Sequence, residues 1–274
     1  MQAPWILAVQ DFIERCRAFG EEPTLNLAVL WRFKAGKSSF LNHLLGRDLL
    51  PVGVIPVTSV ITEIQWGPRE RAEILYADGC KEERPVECIG EFVSEGRNPQ
   101  NQKRVARVRG EVQTIGSLPG SSIYRVAWKA SWSTTRRLFS SGYRMWGWVL
   151  VAVGVDQPLS RHDIELIRTL SRFTPSISLL VTKVDVWSES ELSEVREFVP
   201  QQLTRSGNNS VTVLPYSVRP GFERLRGELK HSLLSLVSGE AGEQLGAILL
   251  HKLNSLLKWS IAIYERRAQG GRSG

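Results

Sequence analysis

The sequence predicts an α/β fold in which a mostly parallel sheet is flanked by helices. Residues 149–153 form a fully apolar run, which is typical of a central parallel strand that is covered on both faces. From residue 27 to residue 215 strand patterns alternate with helix patterns, and right-handed crossovers are then expected between the strands. A chain of 274 residues with 42% apolar residues can bury an ample core.

The two ends of the chain predict amphipathic helices that begin a helical bundle. The first helix ends at Gly20, and the second spans residues 243–267. Each carries an apolar stripe that needs a partner surface, either on the domain or on another helix. The stripes comprise Trp5, Ile6, Val9, Phe12, Ile13 and Cys16, and then Leu245, Ile248, Leu249, Leu253, Leu256, Leu257 and Ile261.

The interior of the chain predicts strands and helices in alternation. Residues 78–103 are mixed and polar, and residues 98–101 are predicted to form a surface loop. Strands are predicted at 60–66, 72–76, 105–112, 149–153, 176–181 and 211–215, and helices after 156, at 189–203 and at 222–237.

Composition limits the partners and the location. The net charge of +7 suits an anionic partner such as a nucleotide, a nucleic acid or an acidic membrane face, although scattered solvated lysines and arginines would give the same value. Cys16, Cys80 and Cys88 match no metal-ligand spacing and favour free thiols in a reducing cytoplasm. No apolar run approaches the roughly 20 residues of a membrane span, so membrane contact is predicted to be peripheral.

A phosphate-binding loop is predicted at residues 33–42, Phe-Lys-Ala-Gly-Lys-Ser-Ser-Phe-Leu-Asn, between a strand and a helix. Free N–H groups and the dipole at the helix start attract an anion. Lys37 is predicted to reach the outer phosphates, and the Ser38 hydroxyl to coordinate Mg²⁺. The predicted contacts are Lys34, Ala35, Gly36, Lys37, Ser38 and Ser39.

The first position of the full phosphate-loop pattern holds Trp31 instead of glycine. A glycine there permits a positive φ, which a large aromatic residue resists. Trp31 is therefore expected to weaken nucleotide binding.

A guanine-reading motif is predicted at residues 182–185, Thr-Lys-Val-Asp, at the end of a buried strand. The Asp185 carboxylate can accept hydrogen bonds from guanine N1–H and its 2-amino group, which adenine does not offer. The Lys183 stem is predicted to lie along the base. Ser217 follows the next strand, where a backbone N–H would contact guanine O6. Thr182 completes the predicted set.

The extended segment at residues 49–59 follows the phosphate loop and is rich in proline and glycine. A threonine at this distance is where P-loop GTPases hold the first switch, which senses Mg²⁺ and the γ-phosphate. Thr58 is the candidate, with Thr62 behind it.

The stretch from Val112 to Val155 contains no acidic residue and is rich in tryptophan and arginine. Basic residues interleaved with aromatic residues could stack on nucleic acid. No recognised nucleic-acid module surrounds the stretch, so nucleic acid is not the expected partner.

Several motifs together resemble the GTPase domain of bacterial dynamin-like proteins. They are residues 33–42, 50–58 (Leu-Pro-Val-Gly-Val-Ile-Pro-Val-Thr), 118–120 (Leu-Pro-Gly), 156–160 (Asp-Gln-Pro-Leu-Ser) and 182–185. The resemblance implies binding of GTP and GDP with Mg²⁺, GTP hydrolysis, self-association through the G domain and membrane remodelling. It implies catalytic roles for Lys37, Ser38 and Thr58, metal contacts from Ser38 and Thr58, and a nucleotide contact at Gly120.

The resemblance divides the chain into an N-terminal bundle helix (1–22), a G domain (23–238), a C-terminal bundle or stalk helix (239–268) and a disordered tail (269–274). The family has Gly-Glu where this chain has Trp31 and Arg32, and an aspartate where it has Ser117. A shifted reading frame around residues 31–32 and 112–147 would produce such changes, and resequencing the DNA tests this hypothesis. Two alternatives stay open, a pseudo-GTPase that acts as an interaction module and an RNA-associated GTPase of another class.

Overall fold

The computed structural model of the protein describes most of residues 25–235 and parts of the two ends of the chain. The described residues are 10, 13–14, 17, 25–31, 35–52, 60–113, 124–129, 146–156, 159–172, 174, 176–205, 211–235, 246–251, 253–255, 257–258 and 261.

The described strands form one nine-stranded sheet in the order β4-β3-β5-β2-β6-β1-β7-β8-β9. Strand β1 lies between β6 and β7 and is parallel to both, and β7, β8 and β9 continue in parallel. β2 is parallel to β5 and antiparallel to β6, while β3 is antiparallel to β4 and β5. The strands are β1 (Leu25–Trp31), β2 (Ile61–Trp66), β3 (Arg71–Tyr76), β4 (Lys81–Arg84), β5 (Val105–Val112), β6 (Tyr124–Lys129), β7 (Trp146–Gly154), β8 (Ile177–Thr182) and β9 (Thr212–Tyr216).

Helices cover both faces of this sheet. They are α1 (Lys37–Leu45), α2 (Ile89–Val93), α3 (Arg161–Leu170), α4 (Glu189–Arg205) and α5 (Glu223–Ser235), with short 3₁₀ turns at Val86–Cys88, Pro99–Asn101 and Val184–Val186. The α/β fold class predicted from the sequence, a mostly parallel sheet flanked by helices, is confirmed.

The core has two layers because side chains alternate along the central strands. Leu27 and Val29 of β1 belong to the cluster that contains Phe40 and Leu41 of α1. Ala28 and Leu30 face the opposite side and belong to the cluster with α3 and α4. Both faces of β1 are therefore buried. The loop that follows β1 begins at a strand that is packed on both sides.

The segment between residues 78 and 103 has more regular structure than its composition predicted. It contains β4, α2 and two 3₁₀ turns. Asn98, predicted to lie in a surface loop, is fully buried, and its side-chain amide donates to the Phe92 carbonyl at 2.7 Å. The prediction was wrong for Asn98, because a polar side chain that satisfies its hydrogen bonds internally can be buried, whereas Pro99 and Gln100 are exposed.

The tryptophan-rich stretch contributes strands to the sheet in its described parts. β6 is inserted between β2 and β1. Trp148 is buried, and its indole N–H donates to Ser178 Oγ at 3.0 Å. Trp148 is therefore a core residue and has no free face on which a nucleic-acid base could stack.

Among the described residues between 246 and 261, two contacts with the domain stand beside several exposed apolar side chains. Ile248 is buried, and the Ser255 hydroxyl donates to the Arg172 carbonyl at 3.2 Å. Leu253, Leu257 and Ile261, which belong to the predicted stripe, are 44%, 58% and 55% exposed. This part of the stripe still needs a partner. In the described part of the chain, no helix is both long and apolar enough to cross a membrane.

Candidate functional site

The predicted motifs meet at one edge of the sheet. Strands β1, β7, β8 and β9 run in parallel, so their carboxyl ends lie at the same edge. The phosphate-loop residues follow β1, and the residues predicted to read guanine lie at or just after the ends of β8 and β9. Ligands in open α/β sheets bind in the crevice at this edge.

Gly36 sets the geometry of the phosphate loop. It caps α1 in a left-handed conformation with φ 72° and ψ 27°, which strongly favours glycine. Its carbonyl accepts the Phe40 N–H at 3.1 Å and so closes the first helical turn. The free N–H groups of this turn and the positive end of the helix dipole then lie where an anion can bind. Ala35 and Ser38 are buried, and Ser39 is half-buried.

Burial disfavours the charged form of the Lys37 amine. Burial lowers the pKa of Lys37 to about 7 from its ordinary value of 10.5. A polyphosphate brought near the amine would favour its charged form and reverse this shift.

Thr182 connects the two motifs directly. Its buried hydroxyl lies 2.9 Å from the Ala35 carbonyl and 3.0 Å from the Val153 carbonyl. The single hydroxyl proton is shared between these acceptors, which belong to the phosphate loop and to β7. The end of β8 thereby holds the phosphate loop against the centre of the sheet.

Replacing Thr182 with valine is expected to lower the free energy of unfolding by about 1–3 kcal/mol, because two buried carbonyls lose their hydroxyl partner. The loosened loop should also weaken nucleotide binding several-fold. Urea denaturation measures the first effect, and Thr182→Ser, which keeps the hydroxyl, is the control. Equal stability of the valine and serine variants would contradict the expected role.

Lys183 lies close to the phosphate loop. It adopts a left-handed backbone conformation with φ 62°, which is uncommon for a residue other than glycine and clusters at functional sites. Its Cε would lie 4.0 Å from a Cβ atom placed on Gly36. The Lys183 stem therefore crosses close to Gly36.

The Asp185 carboxylate is held by the loop after β9. Ser217 Oγ donates to Asp185 Oδ1 at 2.6 Å, and Arg219 Nε lies 3.8 Å from Asp185 Oδ2. The backbone N–H of Arg219 donates to Ser217 Oγ at 3.0 Å, which orients the hydroxyl. Ser217 is buried and Asp185 is half-buried, so the carboxylate is fixed and still reachable. The sequence predicts a base contact from the Ser217 backbone N–H, whereas the contact in the structure is between the Ser217 side chain and Asp185.

Asn42 fixes the start of the segment that contains Thr58. Its side chain accepts the Leu50 N–H at 2.8 Å and donates to the Leu50 carbonyl at 2.7 Å. Lys34, Thr58 and Gly120 themselves lie outside the described residues. Thr62 is buried in β2, and its hydroxyl donates to the Val60 carbonyl at 3.4 Å.

Trp31 differs from the expectation for its position. It is the last residue of β1 and pairs with Ala152 of β7. Strand backbone is extended, so this position does not require the positive φ that tryptophan would resist. The expected steric penalty at Trp31 therefore does not arise in the backbone of the strand.

The donor set at the loop fits a magnesium ion carried by a nucleotide. The Ser38 hydroxyl in the first turn of α1 is a hard oxygen ligand of the kind that Mg²⁺ binds. Among the described residues, no group of three or more His, Cys, Asp or Glu side chains could hold a metal ion. Most of the negative charge that balances the Mg²⁺ ion would therefore have to come from the phosphate oxygens of the nucleotide.

The fold and the two loops at its carboxyl edge define a P-loop GTPase-like domain. The sequence model of the Dynamin family matches residues 27–214, which is more than half of the chain. The chain belongs to the dynamin family and contains its GTPase domain.

Individual relatives agree with this assignment. Dynamin-like protein 2 of Campylobacter jejuni is 34% identical over 86 residues, 31% of this chain and 14% of that protein. An uncharacterised protein of Caldicellulosiruptor, from the xynA 3′ region, is 28% identical over 215 residues, 74% of this chain and 51% of that protein. A solved structure of an oligomerised bacterial dynamin pair, described as sensing and tethering membranes, shares the fold with a TM-score of 0.65 and 17% identity over 98% of this chain and 50% of that one. The chain thus spans about half the length of these relatives or less.

Proposed function

We propose that this domain binds Mg²⁺ with GTP or GDP at the carboxyl edge of its sheet. The hydrogen bond from Thr182 to Ala35 carries the proposal, because it joins the phosphate loop to the strand that ends in the guanine-reading motif. Lys37 and the N–H groups of residues 34–39 would hold the phosphates, and Ser38 would contact the metal. Asp185 would read guanine, with Lys183 along the base and Ser217 behind the carboxylate. Thr58 would complete the metal site, and Gly120 would face the γ-phosphate.

GTP hydrolysis is proposed to accelerate when two domains associate across the nucleotide site. Two exposed apolar side chains beside the guanine-reading residues support this. Val186 is 66% exposed and Val218 is 44% exposed, next to Asp185 and Ser217. Burial of such side chains in an interface is favourable. The oligomerised assembly of the similar bacterial dynamin pair agrees with self-association.

Membrane remodelling from the cytoplasmic side is the proposed cellular role, with peripheral contact at the inner membrane. The net charge of +7 favours approach to an anionic lipid surface. The proposed organisation is a helix at 1–22, a G domain at 23–238, a bundle or stalk helix at 239–268 and a tail at 269–274. The exposed Leu253, Leu257 and Ile261 are consistent with a helix that packs in a bundle.

A pseudo-GTPase that serves as an interaction module is the second candidate. Ser117, in place of the family's aspartate, favours it, because a serine cannot supply the negative charge that holds the water shell of Mg²⁺. Such a protein would bind nucleotide without turnover, or would bind none.

Calorimetric titration with Mg·GTPγS and with Mg·ATPγS tests the proposal. Micromolar binding of the guanine analogue alone is expected, followed by GTP turnover per molecule that rises with protein concentration. Binding without turnover would support the pseudo-GTPase. No binding by folded protein would overturn the proposed nucleotide site.

Nucleotide binding at pH 8 is expected to take up close to one proton. The pKa of Lys37 is about 7 in the nucleotide-free protein and rises beside phosphate, so the amine is mostly neutral before binding and charged after it. Affinity should therefore be full below pH 7 and fall as the pH rises above 7. Calorimetry in two buffers of different ionisation enthalpy measures the uptake. Lys37→Arg should bind the nucleotide more weakly and without proton uptake. Equal proton uptake in this variant and in the unaltered protein would show that Lys37 is not the group that takes up the proton.

A further inference from the structure

Arg226 of α5 contacts the guanine-reading loop and belongs to none of the sequence motifs. Its Nη1 donates to the Arg219 carbonyl at 2.7 Å and to the Ser217 carbonyl at 3.2 Å. These two carbonyls belong to the residues that touch Asp185. One guanidinium nitrogen thus fixes the backbone on both sides of Val218.

The guanidinium is itself held in place. Glu223 accepts a hydrogen bond from Arg226 Nη2, and the same carboxylate oxygen accepts the Gly221 N–H at 3.1 Å. Arg226 is only 17% exposed, whereas Glu223 is 67% exposed. The planar donor geometry of arginine suits several acceptors at once, which lysine cannot reproduce. The first turn of α5 therefore clamps residues 217–221.

We infer that Arg226 is a positioning residue for guanine recognition, acting through the loop of residues 217–221 and the Ser217 hydroxyl on Asp185. This inference rests on the proposed nucleotide site. Arg226 does not need to touch the base. A carboxylate discriminates between bases only while its two oxygens face the N1–H and 2-amino positions, and the Ser217 hydrogen bond holds Oδ1 in a fixed direction. Arg226 fixes the backbone from which that hydroxyl projects.

The test compares GDP with IDP, whose hypoxanthine base lacks the 2-amino group. Arg226→Gln is expected to weaken GDP binding by about tenfold, and IDP binding much less, so that the GDP-to-IDP affinity ratio falls about threefold or more. A loss of stability alone would leave this ratio unchanged. Arg226→Lys, which can restore one of the hydrogen bonds, should give an intermediate ratio.

Arg224→Gln is the matched control on the same helix. Arg224 is 72% exposed and reaches Glu228 at 3.7 Å, away from the loop. It should keep the GDP-to-IDP ratio of the unaltered protein. Glu223→Gln serves as a second variant that leaves the Arg226 side chain in place, and it should lower the ratio in the same direction by a smaller factor.

The outcomes separate this inference from the proposed function. If the unaltered protein binds neither GDP nor IDP, the nucleotide site itself is wrong. If it binds GDP and the Arg226 and Glu223 variants keep its GDP-to-IDP ratio, the positioning role is overturned and the nucleotide site stands. A lower ratio in both variants, with Arg224→Gln unchanged, supports the inference.

Discussion

Lys37→Ala is expected to lower the affinity for Mg·GTPγS by about 100-fold or more, equivalent to about 3 kcal/mol. The proposed site places one amine at the outer phosphates, where its charged form replaces water around the polyphosphate. Without the Lys37 amine, only the N–H groups at the start of α1 would remain to stabilise the phosphates. Calorimetric titration measures the loss.

Lys81→Ala is the matched control for the lysine substitution. Lys81 lies in β4, an edge strand that four other strands separate from β1. Its side chain is 64% exposed, and its amine lies 3.6 Å from Glu73. Its variant should bind the nucleotide like the unaltered protein. Equal affinities of the Lys37 and Lys81 variants would remove Lys37 from the phosphate site.

Asp185→Asn is expected to weaken GTP binding by about 100-fold and to improve binding of XTP. The carboxylate offers two acceptors to the N1–H and 2-amino groups of guanine. Asparagine offers one acceptor and one donor, so its amide faces the 2-amino group unfavourably. Xanthine has a carbonyl oxygen at this position, which the amide can contact. Competition of both nucleotides against a fluorescent guanine nucleotide measures the change.

Asp78→Asn is the control for the loss of a carboxylate charge. Asp78 lies between β3 and β4, where its carboxylate accepts the Cys80 N–H at 2.9 Å, and asparagine keeps an acceptor there. Base preference should stay unchanged in this variant. Unaltered GTP preference in Asp185→Asn would show that another group reads the base.

Motif spacing and strand order predicted which loops meet at the candidate site. The Gly-Lys-Ser sequence sits between a buried strand and a helix, and residues 182–185 follow another buried strand, so both had to reach the carboxyl edge of a parallel sheet. The segment from 78 to 103 was harder to predict because its strand, Lys81–Arg84, has no apolar residue and its helix, Ile89–Val93, is too short to show a helical period. Its buried Asn98 gives no apolar signal in the sequence.

The sequence by itself determined the fold class, the family and the residue types at the candidate site. These depend on periodicity and on short motifs, which reflect contacts between near neighbours in the chain. Only the tertiary structure decided that Thr182 holds Ala35, that Arg226 clamps the loop behind Asp185 and that β6 lies between β2 and β1. Such contacts depend on which strands become neighbours and in what register, and a partner 147 residues away leaves no trace in local spacing.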